Sequence, residues 1–143
     1  MRRLLAANAA LAALLIVHIA DHTVRQPADA QLGLVASLPG LLGTVAVLVT
    51  LVLVARRRRW APQLAGALGL ATALGFVAIH LAPHWSMFSD PYPDRYLDAG
   101  SWIQMSANLA AGLWLAYEGW RVTATQRPEG WNAASGAPRS SAR

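Results

Sequence analysis

At 143 residues the chain has room for one soluble domain, or for about four membrane-spanning helices with short connections. Charged residues are only 13% and hydrophobic residues 55%, against roughly 25% charged in a soluble domain. That balance, with a mean hydropathy of +0.35, favours the membrane. The chain has no cysteine, which excludes disulfides and thiolate metal sites. Its net charge of +5 comes entirely from arginine on the basic side.

The first apolar stretch, 4–20, follows Arg2 and Arg3 and ends in His18-Ile19-Ala20-Asp21-His22. Its length suits a helix crossing about 30 Å of hydrocarbon. Arg2-Arg3, the apolar run and Ala28-Asp29-Ala30 loosely resemble the three regions of a signal peptide. The run is long for that purpose, and Asp21, His22 and Arg25 make a charged approach to a cleavage site. We therefore read it as a retained span.

The second stretch, 34–55, has small residues at helical spacing (Gly33, Ser37, Gly40, Thr44), with Pro39 expected to kink it. Arg56-Arg57-Arg58-Arg59 follows. The third, 64–82, sets Gly66, Gly69, Ala73 and Phe76 on the face leading to His80, which should turn that histidine inward. It ends in His80-Leu81-Ala82-Pro83-His84. The loop after it, rich in proline and aromatic residues, is expected to form an ordered lid over the histidines. The fourth, 99–120, carries Asp98, Ser101, Met105, Asn108 and Gly112 along one face with Gln104 beside it. Residues 1–122 are thus expected to form a four-helix membrane domain. The segment 123–143, rich in Pro, Gly, Ser and Ala, is expected to be a disordered cytoplasmic tail.

Arginine asymmetry sets the orientation. If four spans alternate, ten arginines share the side of the termini and only Arg25 and Arg95 lie opposite. The positive-inside rule then places both termini in the cytoplasm of a cell (inner) membrane. It also makes the arginine run a topology signal, so nucleic acid is not expected as a partner. All five aspartates, Asp21, Asp29, Asp90, Asp94 and Asp98, fall on the outer side. Trp60, Trp85, Tyr92, Tyr96, Trp102 and Trp120 near the span ends read as an aromatic belt.

The fold class that emerges is an all-α integral membrane protein, a bundle of four transmembrane helices. Spans one and three both run outward into a histidine pattern, which suggests a tandem repeat of two helical hairpins.

All four histidines belong to that repeated pattern. Histidines four apart share a helical face and can reach one ligand. Ionisable groups at the edge of a span point to function by default. The expected site is metal, with His18, His22, His80 and His84 as ligands and Asp21 or Asp90 as a carboxylate ligand or orienting partner. Nitrogen and oxygen donors suit a zinc, iron or copper ion. Haem, clamped by histidines of two helices, is the lesser alternative. The arrangement also admits a membrane enzyme, a small transporter with titrating histidines, or an assembly or adapter subunit with structural histidines. In the last case the small-residue stripes would pack on a membrane-protein partner or a second copy of the chain. Pro83 weakens the pairing of His80 with His84, because it pushes the preceding residue away from helical angles.

Overall fold

The computed structural model describes residues 1–25, 34–94 and 97–126. Among them there is helix and loop but no strand: α1 (Arg2–Ala20), α2 (Leu34–Ala55), α3 (Ala61–Phe76) and α4 (Ala99–Thr125). α1 passes into a π turn at Asp21–Arg25, and α3 into a π turn at Val77–Leu81. With these extensions three helices, Arg2–Val24, Ser37–Ala55 and Ala61–Leu81, are long and apolar enough to cross a membrane. The expectation of four such spans is met by three among the described residues. α4 has the length, at 27 residues, but Ser101, Gln104, Asn108, Glu118 and Arg121 reduce its apolarity. Asp29, Arg95, Tyr96 and residues 127–143 of the expected tail lie outside the described residues, while α4 itself continues through Thr125.

α1 buries Leu4, Ala7, Leu11, Leu15 and His18, a stripe at three- and four-residue spacing that faces the other helices. Buried Asn8 on the same stripe sets its side-chain amide against the Val47 carbonyl of α2; with the nitrogen turned to that carbonyl the bond is 3.1 Å. Such a bond ties helices together where no hydrophobic effect acts between them.

α3 and α4 come into backbone contact. A Cβ added at Gly69 would fall 2.6 Å from both the Ala116 nitrogen and the Gly112 oxygen, and Gly119 faces Gly66 as closely. The expected stripe of α3 (Gly66, Gly69, Ala73, Phe76) is buried here, as are Ser101, Met105, Asn108 and Gly112 of α4. α3 starts with Pro62 in its first turn, where a missing N–H costs nothing.

The turn before α3 is made by the arginine run. Arg57 has φ 52°, and the Arg57 and Arg58 N–H groups donate to Val54 and Leu53 carbonyls at 3.0 and 3.1 Å. This is a Schellman closure of α2, with an arginine where glycine is usual.

The small-residue stripe of α2 departs from expectation. Thr44, Val47, Thr50 and Val54 are buried, but Ser37 and Gly40 are exposed. A Cβ at Gly40 or Gly43 would meet nothing within 4 Å. The N-terminal half of α2 therefore stands away from α3, and space remains between them.

Candidate metal centre

Both α1 and α3 deliver their histidines at the point where α-helix gives way to π turn. His18 closes the buried stripe of α1 and His22 follows inside the first π turn; His80 lies inside the second. π turns are rare and concentrate at functional sites, because the wider turn re-aims side chains. Here they direct three imidazoles to one point. The ring centroids of His18 and His22 are 4.5 Å apart, those of His18 and His80 5.2 Å, and those of His22 and His80 5.8 Å. One ligand atom from each lies within 4.8 Å of the others, and all three residues are buried. Phe76, one turn below His80, closes the floor with centroids 4.9 Å from His18 and 5.4 Å from His80.

Hydrogen bonds set the orientation of two rings. Gln104 of α4 donates its amide N–H to the Leu14 carbonyl at 3.3 Å, which turns its oxygen toward His18 Nδ1 at 3.1 Å. An amide oxygen can only accept, so Nδ1 of His18 is the donor, and in the neutral ring Nε2 is left with the lone pair. His80 Nδ1 donates in the same way to the Asp90 carbonyl at 3.2 Å. A metal-binding histidine has this form, with one nitrogen held by an acceptor and the other exposed to the ion. His22 sits between two groups of the loop: Asp90 Oδ2 is 3.9 Å from its Nδ1, and Tyr92 Oη is 3.4 Å from its Nε2.

The loop after α3 supplies the roof. Trp85 and Ser86 backbone N–H groups donate to Ser89 Oγ, each at 3.1 Å, and Asp90 N–H donates to the Ile79 carbonyl at 2.9 Å. These bonds fold the loop back on the second π turn. The fully buried Asp90 carboxylate is thereby placed with Oδ2 4.0 Å from His80 Nδ1 as well. Tyr92 is not a belt residue: it is wholly buried, with its ring 4.6 Å from that of His80.

Of the other two expected residues, one is exposed and one is buried. His84 is exposed. Ala82, before Pro83, is extended (ψ 152°), so the helix stops and His84 leaves the face of His80. Asp21 is buried and accepts a hydrogen bond from Ser101 Oγ of α4 at 3.1 Å. Gln104, Tyr92 and Phe76 were not among the expected site residues. For Gln104 the available signal was its amide beside the polar face of α4.

The arrangement suits a single ion. Two ligands of one zinc lie roughly 3–4 Å apart, so small side-chain rotations would bring the three nitrogens into its coordination sphere. Comparison with protein-family models, with curated proteins and with solved structures found no match to this chain.

Proposed function

We propose that this protein spans the inner membrane four times, with both termini in the cytoplasm, and binds one zinc, iron or copper ion through His18, His22 and His80 near the outer face. The observation that carries this reading is the convergence of three buried imidazoles from two helices within 4.8 Å. Burying three imidazoles together without a shared ligand has no packing advantage over apolar side chains, and each polar nitrogen must still be satisfied. Asp90 sits on the Nδ1 side of His22 and His80, so in this reading it balances the ion's charge and orients the rings.

Three histidines leave a fourth tetrahedral position for water or substrate, the form of a catalytic rather than a closed structural site. His18, His22 and His80 also line a cavity of about 200 Å³. A membrane-embedded metal enzyme is thus the function the geometry supports best. The ion would polarise a bound oxygen or lower the pKa of bound water. The chain's own residues would hold the rings and, through Phe76, Tyr92 and the loop, restrict bulk water. A haem fits less well, since centroids of 4.5–5.8 Å leave no width for a porphyrin plane among the rings.

Elemental analysis and an absorption spectrum of the purified protein in detergent test the reading. About one zinc, iron or copper per chain and no Soret band is the expected result. A Soret band, or no bound metal after purification in metal-supplemented buffer, would overturn it.

A further inference from the structure

The cavity at the histidines continues along the membrane-spanning helices. A second cavity of about 280 Å³ shares Gly40, Ile79 and His80 with it and extends between α2 and α3 to Leu68. From His80 to Leu68 is twelve positions along α3, roughly 18 Å at 1.5 Å per residue. That is close to the depth of one leaflet of a core about 30 Å thick. The walls change character along this length. At the outer end they present three imidazoles; below, they are formed by Leu15, Pro39, Gly43, Leu68, Gly75 and Phe76.

Two glycines keep this space open. A Cβ at Gly43 on α2 or Gly75 on α3 would meet nothing within 4 Å. The contrast is with Gly69 and Gly119 on the other side of α3, where the glycines bring backbones together. One face of α3 uses its small residues for contact and the other leaves room.

We propose that the paired cavity is an acyl-chain groove, in which a single long-chain fatty acyl amphiphile from the outer leaflet lies along α2 and α3 with its polar head at His18, His22 and His80. The proposal deepens the metal-site reading by naming the substrate class. A narrow apolar slot ending in polar nitrogens matches a molecule with an apolar chain and one polar end. Small-residue walls admit a flexible chain at contact distance, whereas Leu42, Val45 and Val49 of α2 are exposed on the helix surface, where bulk lipid would meet them.

The test uses the full-length protein in lipid nanodiscs and hexadecanoic acid carrying a diazirine at mid-chain. Photolabelled positions are mapped by mass spectrometry, and metal per chain is measured on the same samples. Labels are expected to concentrate on Pro39, Gly40, Gly43, Leu68, Thr72 and Gly75, and not on Leu42. Gly43→Leu and Gly75→Leu should each fill the groove and cut this labelling about tenfold, equivalent to about 1.4 kcal/mol, with folding and metal content unchanged. Leu42→Ala, on the outer surface, should leave it unchanged. Equal labelling of Leu42 and Val49, or labelling insensitive to both glycine substitutions, would mean annular lipid only and would overturn the groove. If groove labelling persists in protein that binds no metal, the groove stands and the metal reading falls.

Discussion

Gln104 on α4 holds His18 on α1 by a 3.1 Å hydrogen bond across 86 positions of sequence. The amide is itself fixed, donating to the Leu14 carbonyl at 3.3 Å, while the Gln104 backbone carbonyl accepts from Asn108 Nδ2 at 2.9 Å. The polar face of α4 thus ends at an imidazole of α1.

Gln104 should therefore act on metal affinity without being a ligand. Gln104→Leu removes the acceptor for His18 Nδ1–H and is expected to weaken metal binding by about 10–100-fold. Gln104→Glu, which keeps an acceptor oxygen, should retain most of the affinity. Competition with a chromophoric chelator measures both. Equal affinity in Gln104→Leu and the parent protein would remove Gln104 from the site.

His84 belongs to the repeated sequence pattern but not to the cluster. His84→Ala is expected to leave metal stoichiometry at the parent value, whereas His80→Ala should abolish tight binding. Elemental analysis of the two variants after gel filtration separates them. Loss of metal in His84→Ala would mean that the loop rearranges to bring this residue in.

Packing of α3 on α4 depends on backbone approach at Gly69. Gly69→Val should destabilise the bundle by about 1–3 kcal/mol, the usual cost of overpacking, or prevent α4 from docking. Gly75→Val, directed into open space, should cost far less. Thermal unfolding in detergent, followed by circular dichroism, ranks the two. Equal stability would show that the close contact is not a determinant of the fold.

Topology is testable because the chain has no native cysteine. Ala30→Cys should react with an impermeant maleimide from outside intact cells, and Ala133→Cys should react only after lysis. The reverse pattern would sink the four-span arrangement with cytoplasmic termini.

Much of the site's framework was legible in the sequence because helices translate spacing into direction. Gly66, Gly69, Ala73 and Phe76 share a face, and that face carries His80 inward. Pro83 announced the departure of His84, since its effect on the preceding residue is local. Gln104 and Tyr92 were harder to place. Gln104 meets His18 only through the packing of α1 on α4, and Tyr92 reaches the rings only because Ser89 and Asp90 fold the loop back. The N-terminal half of α2 shows a different ambiguity. Glycines in a span permit either close helix contact or open space, and the same spacing describes both. At Gly69 the neighbouring backbone is present, while at Gly40 and Gly43 it is not.

X-ray absorption at the edge of the bound metal tests whether His18, His22 and His80 share one ion. About three imidazole nitrogens at roughly 2.0–2.1 Å are expected, as for a zinc–histidine site. The imidazole scattering should be lost with the metal in a protein carrying His18→Ala, His22→Ala and His80→Ala. A first shell without imidazole, or an unchanged spectrum from that triple variant, would contradict it.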